Sequence, residues 1–495
     1  MVEIDKKGIN LEIYKKIVYF KKGIKVSKEL ENCVRKNRED FEKLLNKGKI
    51  IYSVNTGVGK LADKIIPKEK MILFQENILR THAVGWGDPA PPEVVRGALF
   101  LRVNSLLKGF SGVSFELIEK MVEFLNKDIV PYVPLKGSVG ASGDLAPLSF
   151  IGLSLIGEGY VLENKEILPA YLVLKRKGVK PYKLKEKEGI ALINGTQFSL
   201  SLLMHSFFEF ENLFKLALLS SIFSFVALDG DILSFDPFLG KIRNSKEQIF
   251  ISKIFKKILK GYKKIGLRKS IQDPYTLRCI PQILGTILEF KNFLERIIIS
   301  EMNAAIDNPI IKNKKVIFGG NFHGQRISVS SDILAILISI LGNFSERRIF
   351  QLMGVDENIL PKFLAKDEGL SSGYMIIHVL SSALASLNKT LSFPHSIDSL
   401  PTSLNQEDFV SMSANSSLRL FEMLENLKGI LIVELISALR AIYMRNLKLP
   451  SPLQNIYEFI LEDFKIILED HILFEDIKKI AQKISDIILK FDEIL

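Results

Sequence analysis

The chain has 495 residues, 47% hydrophobic and 25% charged, enough for a large core and more than one ordinary domain. Its net charge of +11 reflects 67 basic residues interspersed with 56 acidic ones, a pattern that argues against a nucleic-acid partner. Two cysteines exclude a disulfide framework and suit a reducing cytosol, the opening MVEIDKKGINLEIYKK lacks the apolar core of a signal peptide, and runs such as Leu216–Leu228 and Ile333–Leu341 are too short to span a membrane.

Residues 1–50 read as charged, amphipathic helices, with Val26-Ser27-Lys28-Glu29 a helix start. Ile50-Ile51-Tyr52 reads as a short strand broken by the turn chemistry of Asn55-Thr56-Gly57-Val58-Gly59. A helix is predicted from Pro67 to about His82, another from near Pro92, and a third over 112–126. From 197 onward long helical patterns dominate, at 197–228, 282–303, 331–353, 369–391, 409–446 and 451–493. Several are apolar nearly all round, notably Ile333–Leu341 and Ile430–Val433, which places them inside a bundle. Strand signal is confined to pieces such as Val316-Ile317-Phe318. The expected fold is mainly α, a motif-rich N-terminal region over 1–196 followed by a long-helix bundle over 197–495.

The stretch Gly137-Ser138-Val139-Gly140-Ala141-Ser142-Gly143-Asp144-Leu145-Ala146-Pro147 stands out for its lack of side-chain bulk. One reading is a Gly-rich loop feeding a helix, whose free N–H groups could hold an anion. The other is chemical. The Gly143 nitrogen could attack the Ala141 carbonyl, and loss of two waters, one carrying the Ser142 hydroxyl, would leave an electron-poor methylidene. Only small residues permit so tight a turn.

Other blocks also carry two readings. Tyr52 could be a core tyrosine or a base; a free phenol titrates near pH ~10, so action at neutral pH needs roughly 4 kcal/mol of phenolate stabilisation. In Gln272-Asp273-Pro274-Tyr275-Thr276-Leu277-Arg278, Asp273 can cap and Pro274 can begin a helix, with Tyr275 and Arg278 on one face. Arg278 there is either a surface cation or a two-pronged carboxylate clamp. Asn194 precedes a long helix, at its positive pole, and Asn194-Gly195-Thr196 also fits a glycosylation acceptor. His82 at a helix end could complement the helix dipole or face a ligand, and Glu407 could be a solvated charge or an acceptor for a ring N–H. The six histidines show no metal-ligand spacing.

GSVGASGDLAPLSF resembles the signature of the aromatic amino acid ammonia-lyases and 2,3-aminomutases, and the resemblance recurs in blocks from Tyr52 to Met412. It implies that Ala141-Ser142-Gly143 becomes 4-methylideneimidazole-5-one (MIO), with no external cofactor or metal, in a cytoplasmic homotetramer whose active sites draw on more than one subunit. It implies Tyr52 as the base removing the β-proton, Asn194 and Tyr275 near the MIO and the substrate amine, and Phe322 of Gly319-Gly320-Asn321-Phe322-His323-Gly324 beside the MIO. It further implies Arg278 as the carboxylate ligand and Gln272 in the pocket wall. Arg80-Thr81-His82-Ala83 and the block Ile397–Met412 are most similar to the histidine-specific branch, so His82 and Glu407 are expected to contact an imidazole, and the expected reaction is loss of ammonia from L-histidine to give trans-urocanate. The alternatives are a tyrosine or phenylalanine ammonia-lyase or a 2,3-aminomutase. Three places depart from the pattern: Ser53 stands where the family usually has Gly, Phe409 where histidine-specific members usually have His, and Gly324-Gln325 follow His323 where those members often have Ala-Glu. The fumarase-type superfamily is discounted because its Gly-Ser-Ser-x-Met-Pro loop is absent.

Overall fold

The structure, a computed structural model, describes residues 1–495. Helices hold 59% of the chain and no strand exceeds four residues, so the protein is mainly α. The chain forms two compact units, neither continuous in sequence. One comprises Met1–His205, Glu295–Asp332 and Pro394–Arg419; the other comprises Ser206–Leu294, Ile333–Phe393 and Leu420–Leu495.

In the first unit Ser27 accepts a hydrogen bond from the Leu30 N–H and starts the helix Lys28–Asn46. Helix Pro92–Leu106 is buried along almost its whole length, and its two arginines reach backbone carbonyls: Arg96 donates to Ile17 and Arg102 to Ile306. Such bonds are what make a buried guanidinium tolerable. Four two-stranded ribbons complete the unit, among them Trp86–Pro89 with Pro134–Lys136, and Ile310–Lys312 with Lys315–Ile317.

The strand expected at Ile50-Ile51-Tyr52 is not formed. Asn55 Oδ1 accepts the Ile51 N–H at 2.7 Å, and Ser53 adopts φ +55°, so the segment coils into a turn. A short polar side chain has outcompeted the ladder for the backbone donor.

In the second unit helices Met375–Leu391 and Leu420–Met444 pack together, and Arg348 is paired with Glu434 in its core, both fully buried. Two expected helices shorten or break for visible reasons. The pattern at 369–391 becomes helical only at Met375, because Asp470 accepts from Ser371 Oγ and from the Ser372 and Gly373 N–H groups and holds a turn there. The pattern at 451–493 splits into Ser451–Leu461 and Leu473–Asp492, because the Arg440 guanidinium takes the carbonyls of Ile467 and Leu468. The pattern at 409–446 likewise opens as Ser413–Leu418 and Leu420–Met444, with Met412 at φ +54° before it. The stretches 188–227 and 325–352 are long and apolar enough to cross a membrane by length and composition, but 83% and 67% of their apolar windows lie inside the fold, as in core helices.

Candidate active site

Strand Pro134–Lys136 runs out into the small-residue turn, in which Gly140 and Gly143 have φ of +65° and +77°. A Cβ on Gly140 would sit 2.1 Å from Ser413 Oγ, and one on Gly143 2.5 Å from the Gly195 carbonyl oxygen. Neighbouring backbone and hydroxyls therefore press on this turn from two sides, and no larger residue fits. Asp144 anchors it from below. Its carboxylate accepts from Ser138 Oγ, Ser199 Oγ and the Ser199 N–H at 2.7–2.8 Å, while its own N–H donates to Gly195. Burial pushes the Asp144 carboxyl above its ordinary range in spite of those bonds.

The next residue of the site comes from helix Glu188–Ile193. Lys187, left-handed at φ +74°, donates from Nζ to Asp307 at 2.8 Å, both side chains fully buried, and so fixes the start of that helix. At its far end Asn194 donates from Nδ2 to the Ser142 carbonyl at 2.8 Å, and its Oδ1 is buried without a partner. A neutral amide held by one end and aimed at one carbonyl polarises that carbonyl.

Tyr52 lies on the turn described above, and its phenol oxygen accepts the Gly59 N–H at 2.9 Å. His82 ends helix Met71–His82, and its Nδ1 lies 2.8 Å from the Ile78 carbonyl. A carbonyl only accepts, so Nδ1 carries the proton and, in the neutral ring, Nε2 is the acceptor.

Glu407 closes the other wall. Thr402 Oγ1 and Ser403 Oγ both donate to its Oε2, at 2.5 and 2.8 Å, and Ser142 Oγ donates to its Oε1. Ser403, Leu404 and Asn405 are consecutive left-handed residues at φ +51°, +52° and +65°. Such a run is costly for L-residues and is held by the backbone pair between Thr402 and Glu407. Burial alone would raise the Glu407 carboxyl, but the bonds from Ser142, Thr402 and Ser403, with the charge of His82, outweigh it and hold the group below the usual carboxylate range.

Tyr52, His82, Ala141, Ser142, Asn194, Phe322 and Glu407 line a single cavity of about 750 Å³ within the first unit. Gly143 belongs to the turn behind it. Gln272, Tyr275 and Arg278 do not line it; they lie in the second unit. There Asp273 is not the expected cap. It is buried and accepts the Asp231 N–H at 2.6 Å, so Pro274 occupies the cap position of the short helix Tyr275–Arg278. The Arg278 guanidinium lies over the Tyr275 ring at 4.6 Å, the Arg278 Nε has no partner, and Tyr275 is 69% exposed.

One of the departures, Phe409, packs on the histidine of the Phe322 block. The Phe409 and His323 rings stack at 6.0 Å and 11°, and His323 Nε2 faces the Phe409 carbonyl at 3.3 Å. Three contributors escaped sequence reading: the Gly59 amide and the Thr402 and Ser403 hydroxyls. The block containing Thr402 and Ser403 was visible, but no spacing rule shows that a hydroxyl four or five residues back folds onto a carboxylate.

A helical fold in which this small-residue turn meets a tyrosine, an amide and a carboxylate defines a class of enzyme. A family profile, "Aromatic amino acid lyase", matches residues 9–462. The chain belongs to that family and is a carbon–nitrogen lyase. It is 40% identical over 484 residues to a protein named probable histidine ammonia-lyase from Thermoplasma volcanium, covering 97% of this chain and 98% of that one. Among solved structures, histidine ammonia-lyase from Trypanosoma cruzi superposes with a TM-score of 0.91 at 33% identity, covering 100% of this chain and 95% of that one. The ergothioneine-degrading ergothionase of Treponema denticola superposes at 0.93 with 28% identity, covering 98% and 99%.

Proposed function

We propose that the protein eliminates ammonia from L-histidine to give trans-urocanate, with MIO formed from Ala141, Ser142 and Gly143 as its electrophile. The observation that carries this reading is that His82 and Glu407, the two groups expected to meet an imidazole, line the same cavity as the Ser142 turn. The turn fits the group: Ser413 and Gly195 leave no room for a side chain at Gly140 and Gly143, and the Asn194 amide already bonds the Ser142 carbonyl, which is the oxygen that such a ring retains. Once formed, the ring supplies an electrophile that makes the substrate amine a better leaving group. Tyr52, with the Gly59 N–H on its oxygen, takes the β-proton. Glu407, kept ionised, accepts an imidazole N–H at Oε1; a phenyl ring would leave that oxygen unpaired. Phe322 walls the cavity beside the turn.

Gln272, Tyr275 and Arg278 complete the site from a neighbouring copy in a homotetramer, Arg278 gripping the carboxylate and Tyr275 meeting the amine. Exposed apolar residues on Met375–Leu391 (Ile376, Val379, Leu380 and Leu387) support association of this kind. The two cysteines are unpaired, in keeping with a cytoplasmic enzyme, and this reading assigns it no nucleic-acid or membrane partner. Incubation with L-histidine, L-tyrosine and L-phenylalanine, followed by absorbance of the conjugated acid, tests the reading. Turnover of histidine is expected, and turnover of tyrosine or phenylalanine without histidine overturns the substrate assignment. Appearance of a β-amino acid in place of free ammonia identifies an aminomutase.

A further inference from the structure

Glu407 has a partner that a substrate-reading residue does not require. Before any substrate arrives, its Oε1 accepts the hydroxyl of Ser142, the one hydroxyl that must leave if the turn is to mature. Its Oε2 is saturated by Thr402 and Ser403, so Oε1 is the only oxygen free to exchange a proton. The three left-handed residues 403–405 hold the carboxylate in this position, at a conformational cost that a solvated surface charge would not repay.

We propose that Glu407 is the proton carrier for the dehydration of Ser142, an inference that rests on the electrophile reading above. Ring closure joins the Gly143 nitrogen to the Ala141 carbon, and the Ala141 oxygen departs as the first water with the Gly143 and Ser142 amide protons, leaving a C=N bond between Ala141 and Ser142. Closure also leaves the Ser142 Cα–H between the C=N nitrogen and the carbonyl of the new ring and therefore acidic. Glu407 Oε1 takes that proton and returns it to Ser142 Oγ as the Cβ–Oγ bond breaks. The electron pair of the Cα–H bond becomes the new double bond, and the hydroxyl departs as the second water. No oxidant or reductant is needed. Departure of that water removes the partner of Oε1 and leaves it open on the cavity wall, where a substrate N–H can take the vacated position. One carboxylate thus serves twice, first in making the electrophile and then in reading the ring.

The test is intact mass of the full-length chain, sampled at intervals after cell-free synthesis. Wild type should reach a deficit of two waters. Glu407→Gln, nearly isosteric but unable to carry a proton, should stall at one water or none, or finish about a hundred-fold more slowly. Glu407→Ala opens space for a small acid, and added formate should accelerate its second loss. Circular dichroism and gel filtration on both variants establish that they are folded. Completion of both losses by Glu407→Gln at the wild-type rate overturns the proposal, and so does a slow Glu407→Ala that formate fails to accelerate. A wild-type chain that keeps its full sequence mass instead overturns the electrophile reading itself.

Discussion

Ser53 carries the sharpest prediction about the support of Tyr52. It is fully buried at φ +55°, its hydroxyl has no hydrogen-bond partner, and its backbone is held by Thr56 Oγ1 and the Gln75 amide. Ser53→Gly removes the left-handed penalty of a Cβ, about 1 kcal/mol, and the desolvation cost of an orphan hydroxyl, roughly 1–2 kcal/mol. Against this stand the extra unfolded-chain entropy of glycine, about 0.8 kcal/mol, and the lost burial of one methylene, about 0.8 kcal/mol. The backbone bonds to Thr56 and Gln75 survive the change. The balance is a turn more stable by about 1 kcal/mol, which slows opening-limited amide exchange roughly five-fold. Hydrogen exchange read at Val54 and at Gly59, whose N–H bonds Tyr52, measures it directly. Ser53→Val, β-branched in the same left-handed backbone, should exchange faster than wild type. Unchanged or faster exchange in Ser53→Gly, with Ser53→Val harmless, would show that this turn stores no strain.

Tyr52→Phe should lower kcat by at least about a hundred-fold with little change in substrate affinity, measured by steady-state kinetics beside equilibrium binding; equal turnover removes Tyr52 as base. Asn194→Ala deletes the 2.8 Å donor to Ser142 and should cost about 3 kcal/mol in kcat, with intact mass separating slow catalysis from failed maturation. Arg278→Ala should mainly raise KM, and mixing it with a Tyr52→Phe chain should restore some activity if the site is built from two copies. Because the Glu407 carboxyl is held below its ordinary 4.5, the contribution of its ionised contacts is present above the ordinary carboxylate range and is lost as the pH falls through its lowered value. Thr402→Val removes one of the bonds that lower it, so the acid limb of kcat/KM should move to higher pH, whereas an unmoved limb would show that the hydroxyl does not tune the carboxylate.

Local chemistry was legible in the linear chain. The Ser27 cap, the long apolar helices and the bulk-free turn at 137–147 follow from residue type and spacing, because each depends on neighbours within a few positions. Asn194 was placed at the mouth of a helix by the same reasoning. What the chain order does not contain is the return of 295–332 and 394–419 to the unit formed by 1–205, which brings Phe322 and Glu407 into the cavity that holds Ser142. Nor does it contain the capture of Ile467 and Leu468 by Arg440, which breaks a helix that local periodicity would have continued, or the Asn55 bond that turns an apparent strand into the support of Tyr52. These outcomes depend on groups tens or hundreds of residues apart, or on one polar side chain outbidding a ladder, and hydrophobic periodicity is blind to both. The sequence alone therefore determined which residues can do chemistry, and the tertiary structure decided which of them share a cavity, because proximity across a fold is set by packing rather than by spacing along a chain.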